Sequence, residues 1–464
     1  MTNPTLLRRL LRSELVLPIM VGVLLRLAAF PLAHLTHPEL ERHWEYATIA
    51  KNLIAGNGYS FNWDYANYHL VLPTAYMLPG QVFIIYAALA TFGNTLAGHI
   101  ALFLEEVVLG GVFIFGIGKL LHLLFGRTRA ARIGTWLAAI YPSFIVACAN
   151  FGIASAVLAI DALFLWALVL LLATIRAGER PLLLAIGVGI VAGLMTQFRS
   201  ESYFLLAVTG VAIVWLYRKS VRKLLPMGTV VVIAALATCA PWVVRNYIVF
   251  HKVIPASVNG GFNFWRGHND LANGSTKNPE FIDWTTPQMW AAMEPLNRLD
   301  SNVEFTQDRY DWKLAIDWIR AHPKREAQLA LNKVIFFWGI DPYDNRGGVL
   351  YMVLYSLTLL AALMGIIRIR RERLWRDKTI RDTLAVIALW TVGYTLVVIA
   401  FFSMVRLQVL MIGFYFPLVA YGADSIIAWT FGRFRASTNL GTIQKNGSWT
   451  LSPTNAPETS EIIS

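Results

Sequence analysis

Glu39-Leu-Glu-Arg-His-Trp-Glu-Tyr-Ala-Thr-Ile-Ala-Lys-Asn-Leu-Ile-Ala-Gly-Asn-Gly-Tyr-Ser60 decides how the rest of the chain is read. It is too charged to span a bilayer, yet it directly follows an apolar run that can. Tyr46, Ile49, Ala50, Leu53 and Ile54 recur at helical spacing, which predicts a short amphipathic helix lying in the membrane interface. Glu39, Glu41 and Glu45 then stand at the membrane surface, Glu45 on the flank of the apolar face and Glu41 one turn earlier. A carboxylate held there suits a base that works on a lipid-borne substrate.

Outward from this stretch the chain reads as a membrane protein. Of its 464 residues 56% are hydrophobic, more than soluble chains carry, and apolar runs of about 20 residues recur. The runs are too long for barrel strands, and an open sheet cannot satisfy its backbone in lipid. The expected fold class is therefore an all-α polytopic membrane protein. The formal net charge of +12 needs no nucleic acid. Its cations cluster in breaks between apolar runs, at Arg127-Thr-Arg-Ala-Ala-Arg132, Arg176-Ala-Gly-Glu-Arg180, Arg218-Lys-Ser-Val-Arg-Lys223 and Arg368-Ile-Arg-Arg-Glu-Arg-Leu-Trp-Arg376, as cytoplasmic loops do. Cys148 and Cys239 each sit inside an apolar run, as small buried hydrophobes. No metal-ligand spacing and no phosphate-binding glycine loop is found, so no cofactor is expected.

Arg8, Arg9 and Arg12 precede the first run and mark an uncleaved first span with a cytoplasmic N-terminus. The runs cover 15–35, 81–92, 99–125, 133–149, 154–174, 182–195, 203–217, 225–244, 349–367, 384–402 and 407–429. Residues 1–430 form one membrane domain, with a first external loop at 36–72 and a long external segment at 245–348 that forms a subdomain ending in a helix over 312–338. Residues 431–464 read as a disordered cytoplasmic tail. Counting each run as one crossing gives the wrong parity for two loops on the same outer face. One of the short runs, 81–92, 133–149 or 182–195, is then re-entrant or fused, and about ten to twelve spans remain. The aromatics of Phe61-Asn-Trp-Asp-Tyr-Ala-Asn-Tyr-His69 and Pro73-Thr-Ala-Tyr-Met-Leu-Pro-Gly80 fit an interfacial belt or the floor of a sugar site.

Three blocks carry a family resemblance. The first is Trp44-Glu-Tyr-Ala-Thr-Ile-Ala50 with Leu53 and Gly56-x-Gly58-Tyr-Ser60, continued by Pro73-Thr-Ala-Tyr76, Pro79-Gly80 and Phe92-Gly93. The second is Ala240-Pro-Trp-Val-Val-Arg-Asn246 with Ile254-Pro255 and Asn259-Gly-Gly-Phe-Asn-Phe-Trp-Arg-Gly267, and the third is Arg406 with Pro417. Together they resemble bacterial glycosyltransferases of family 39, the relatives of protein O-mannosyltransferases and aminoarabinose transferases. The resemblance implies a GT-C fold, a helical membrane body with an external active site, in a bacterial inner membrane. It also implies that an acid of the first loop acts as base. The matching acid is Glu45; many members carry an Asp, or an Asp-Glu pair, slightly earlier, which keeps Glu41 as the alternative.

The expected activity is an inverting transfer of a sugar from a polyprenyl-phosphate donor to a lipid, glycan or protein acceptor of the cell envelope. The leaving phosphate needs fixed cations in a poorly hydrated site. Arg406, in a very short turn between two apolar runs, ranks first for this, then Arg199 and Arg245, with Arg266 in the same group. Tyr76, Asn263, Trp265 and His268 are the candidates for contact with sugar. Two rival readings are a transporter or flippase of lipid-linked sugars and a non-catalytic GT-C-like assembly protein; the chain shows no repeated halves of the kind transporters often have.

Overall fold

The computed structural model describes residues 14–31, 44–65, 68–149, 152–277, 302–344 and 348–443. The first run forms α1, Val16–Ala28, and the stretch quoted above forms α2, Trp44–Ile54. An antiparallel hairpin follows, β1 Ser60–Tyr65 and β2 Tyr68–Pro73, with Ser60 opposite Pro73. Then come α3 Pro79–Phe92, α4 Leu96–Phe125, α5 Arg129–Ile140, α6 Pro142–Ala149, α7 Ala154–Arg176, α8 Leu182–Phe198, α9 Glu201–Leu216 and α10 Val221–Phe250. The segment between α10 and the late spans, hereafter the subdomain, contributes α11 Gly260–Arg266, α12 Val303–Ala321 and α13 Pro323–Trp338. The chain closes with α14 Gly348–Arg371, α15 Lys378–Ala400 and α16 Val405–Ile443.

Among the described residues seven helices are long and apolar enough to cross a membrane, and four shorter apolar ones accompany them. The protein is an integral, multi-pass, helical membrane protein. α7 and α16 form the centre, with 72% and 78% of their apolar windows buried, whereas α10 lies outermost at 17%. Small residues bring the central helices together. A Cβ on Gly422 would stand 1.8 Å from the Ala361 carbonyl oxygen, and one on Gly365 would stand 2.1 Å from that of Leu418. α14 and α16 thus touch backbone to backbone, the usual packing device where lipid supplies no hydrophobic drive.

The parity conflict is resolved at α3. Its first turn abuts the end of α8, where a Cβ on Gly80 would meet the Gln197 carbonyl at 2.7 Å. Its last turn leads through Gly93 straight into the first turn of α4, where Gly98 meets the Gly93 carbonyl. The far end of α4 lies across the molecule, where Phe125 stacks on Tyr421 of α16. Both ends of α3 therefore lie on one face, and it makes no crossing. With α3 set aside, seven long apolar helices and three shorter ones remain among the described residues, and residues 44–65 and 68–73 lie beside 251–277 and 302–344, joined where Glu304 accepts from Thr74 and Ala75.

Three boundaries differ from expectation. α10 continues to Phe250, so the external segment starts after it and not at Arg245. The helix expected over 312–338 is two, broken at His322 before Pro323, because proline cannot donate to the preceding turn. α16 runs to Ile443, past the expected start of the tail.

Candidate active site

The apolar face of α2 covers protein and not lipid. Ala47, Ile49 and Ala50 are buried against Val82, Ile85 and Leu89 of α3 and against Trp242, Phe250 and Phe305. Asn52 pins the hairpin to the same helix, donating to Ser60 O at 2.9 Å and to Asn62 Oδ1 at 2.8 Å. This packing fixes the first turn of α2, and with it Glu45. Arg406, in the first turn of α16, lies close enough to act on the Glu45 charge. Burial pushes the Glu45 carboxyl above the usual carboxylate range, and Arg406 pulls it part of the way back. Tyr46 feels Arg406, Arg199, Glu45 and Glu201 together. Asp161 of α7 feels Arg199 and Glu201. Glu41 lies outside the described residues.

The cations are held differently. Arg199 Nε is paired with Glu201, the neutralising partner two residues along. Arg245 is spent on the backbone: Nη1 donates to Thr74 O and Nη2 to Tyr59 O, each at 2.6 Å, and the guanidinium lies over the rings of Tyr59, Trp242 and Phe250. That makes Arg245 a brace of the loop between α1 and α3, with two of its donors taken by main-chain carbonyls. Arg266 donates to Thr276 O at 2.7 Å and acts on Tyr76.

Tyr76 sits at the crossing of the two external pieces. Its ring stacks on Phe61 at 5.9 Å and meets Trp63 edge-on at 5.8 Å. Glu45, Asp311, Arg266 and Glu304 all act on it. The two pieces are latched beside it, where Glu304 accepts from Thr74 Oγ1 at 2.7 Å and from the Ala75 N–H at 2.8 Å. Burial pushes the Glu304 carboxyl up to about 7 and that of Asp311 up to about 8. Asp308 accepts from the Gly261 N–H at 2.6 Å. Sequence reasoning passed over these three acids, although their spacing of four and then three residues places them on one helix face.

The stretch Asn259–Gly267 is a helix, α11, with its preceding turn, and not an open sugar-binding loop. Trp265 is buried against Ala315 of α12. His268 is 2% exposed, and its Nδ1 lies 2.6 Å from Phe264 O. Asn263 Nδ2 donates to Asn259 O at 2.9 Å, inside its own helix. Trp265 and His268 are therefore buried in the core of this segment, away from the residues around Glu45; aromatic and imidazole rings serve a core as readily as a ligand. Tyr76 alone of that group faces the cluster around Glu45. Among the described residues no group of three His, Cys, Asp or Glu side chains could hold a metal ion.

No family model matches the chain, and no curated protein does. Solved structures do. The archaeal oligosaccharyltransferase AglB from Archaeoglobus fulgidus, in complex with an inhibitory peptide and a dolichol-phosphate, aligns with a TM-score of 0.56 at 15% identity, over 95% of this chain and 52% of that one. A second structure of the Archaeoglobus fulgidus oligosaccharyltransferase, tethered to an acceptor peptide, aligns with a TM-score of 0.51 at 14% identity, over 91% of this chain and 50% of that one. ArnT from Cupriavidus metallidurans, bound to undecaprenyl phosphate, aligns with a TM-score of 0.37 at 16% identity, over 88% of this chain and 77% of that one. The chain spans about half the length of the two oligosaccharyltransferase chains. What it shares with them is the architecture: this is a GT-C membrane fold.

Proposed function

We propose that the chain is an inverting glycosyltransferase that moves a sugar from a polyprenyl-phosphate donor to an acceptor hydroxyl or amine. The observation that carries this reading is that Arg406, from the far end of the sequence, lies within electrostatic reach of Glu45, and that Tyr46 is within reach of both and of Arg199. A base and a cation within reach of each other suit the two ends of a displacement. The acceptor attacks the anomeric carbon while its proton passes to Glu45. The bond from that carbon to the phosphate oxygen breaks with its electron pair, and Arg406 stabilises the charge that develops on the departing lipid phosphate. Arg199 adds to the field, though Glu201 partly cancels it.

Other features support the reading. A raised Glu45 is a stronger base than an exposed glutamate. Tyr76, Phe61 and Trp63 form an aromatic shelf beside it, fit for a sugar face. An oligosaccharyltransferase with this architecture holds a dolichol-phosphate, a lipid phosphate of the proposed class. The basic breaks 127–132, 176–180, 218–223 and 368–376 border the ends of α4, α7, α9 and α14 away from Glu45, and the positive-inside rule then supports reading the site face as the outer one.

The test is turnover by the full chain in lipid nanodiscs against a panel of polyprenyl-phosphate sugars. Glu45→Gln is expected to reduce turnover by about 10²–10⁴-fold. Normal turnover in that variant removes Glu45 as the base, and no turnover of any donor by the wild type removes the enzyme reading.

A further inference from the structure

Lys333 is 0% exposed, although α13 is a helix of the external subdomain. An ammonium buried to that degree is costly unless every N–H finds a partner. Its Nζ bonds Ile399 O at 3.1 Å and His268 Nε2 at 2.9 Å, and Glu326 Oε1 lies 4.0 Å away. His268 Nδ1 sits 2.6 Å from Phe264 O. A ring hydrogen on Nδ1 satisfies the Phe264 carbonyl and leaves Nε2 to accept from the lysine. Glu326, 3.3 Å from the same Nε2, offsets the positive charge. With two of its three hydrogens engaged, Glu326 beside it and no exposed surface, Lys333 cannot itself touch a substrate.

What it holds is informative. Ile399 lies in the last turn of α15, where carbonyls lack helical partners and the helix dipole favours a cation. Only Phe401, Phe402, Ser403 and Met404 separate α15 from α16, and Arg406 is the second residue of α16. The subdomain grips this turn from one residue to the next. A Cβ on Gly267 would stand 1.9 Å from Phe401 O, so no other residue fits there. The Ser403 N–H donates to Gly274 O at 2.8 Å and Ser403 O accepts from the Thr276 N–H at 2.9 Å. The Val405 N–H donates to Asp344 Oδ2 at 3.2 Å.

We propose that Lys333, locked by His268 and Glu326, is a positioning residue for Arg406: by clamping the last turn of α15 it fixes the turn from which Arg406 is presented to the phosphate. The assignment rests on the reading of Arg406 given above. It makes the external subdomain part of the phosphate site without contributing a ligand to it.

Two measurements on the full chain in nanodiscs test it. The first is titration with undecaprenyl phosphate. Arg406→Gln is expected to weaken binding by about tenfold or more, the loss of a charge-assisted contact. Lys333→Met should weaken it several-fold, and Lys333→Arg, which keeps a cation at Ile399 O, should restore most of the affinity. In the double variant Lys333→Met with Arg406→Gln the loss should equal that of Arg406→Gln alone, because the lysine acts through the arginine. Losses that multiply overturn the proposal. The second is the rate at which a cysteine at position 404 (Met404→Cys) reacts with a membrane-impermeant maleimide. Lys333→Met should raise it about tenfold; an unchanged rate overturns the proposal. A raised rate beside an unaltered Arg406→Gln affinity instead overturns the phosphate reading and leaves the clamp standing. If Lys333→Met fails to fold, His268→Phe, which removes one acceptor of the ammonium, should give the same pattern at smaller amplitude.

Discussion

The two faces of the membrane body treat their arginines in opposite ways. On the face away from Glu45, Arg129 and Arg368 both meet Asp424, at 2.5 and 2.6 Å, and Arg176 meets Asp382 at 2.6 Å. Tyr217 donates to the same Asp382. These are neutralised knots that tie α5, α14 and α16, or α7, α9 and α15, together. On the site face Arg245 and Arg266 are held by main-chain carbonyls. A carbonyl orients a guanidinium without cancelling its charge. Arg199 is the exception, paired with Glu201. One face fastens its arginines with carboxylates; the other, Arg199 apart, orients them with main-chain carbonyls, an arrangement that suits the anion-binding role proposed for it.

Substitutions on the two faces should therefore separate activity from stability. The largest effect is expected for Glu45→Gln, with turnover down by about 10²–10⁴-fold and the melting temperature in nanodiscs unchanged. Arg406→Gln follows, with a loss of about 10²–10³-fold in turnover, again without a change in melting temperature. A fall in stability of the size seen on the opposite face would erase the distinction. Asp382→Ala should do the reverse. It leaves Arg176 without its buried partner and costs about 3–5 kcal/mol, read as a lowered melting temperature, while turnover per folded molecule is retained. The pH profile comes next. The base must be ionised to work, so turnover falls as pH drops through the Glu45 pKa. Because burial raises that pKa, the acid limb should lie above the range of an exposed glutamate, and Arg406→Gln should move it higher still. Arg129→Ala should matter least, within about 1 kcal/mol of wild-type stability, since its side chain is 54% exposed.

Much of this was legible in the chain itself. The apolar runs located the helices because a bilayer demands about 20 apolar residues per pass. The clash between charge and periodicity at Glu39–Ser60 marked α2 as a helix that does not cross. Arg406 stood out because an idle charge between two apolar runs is costly. What was missed depends on distant partners. Arg245 reads locally as an interface anchor, and only the carbonyls of Tyr59 and Thr74, far away in sequence, make it a brace. Trp265 and His268 read as ligands because a ring's chemistry does not say which way it faces; α12 and α13 cover them. The hairpin did leave a trace, the alternation of Phe61 and Trp63 with Asn62 and Asp64, which is strand periodicity. Nothing near Lys333 in sequence hints at Ile399.

The helix α3 has a consequence for the surroundings of the site as well as for the path of the chain. It is apolar all round, and Phe83 and Phe92 on it are about half exposed. Its buried side, through Val82, Ile85 and Leu89, carries the apolar face of α2. The helix that seats Glu45 thus rests on a support whose other side offers aromatic rings to lipid, as interfacial aromatics do.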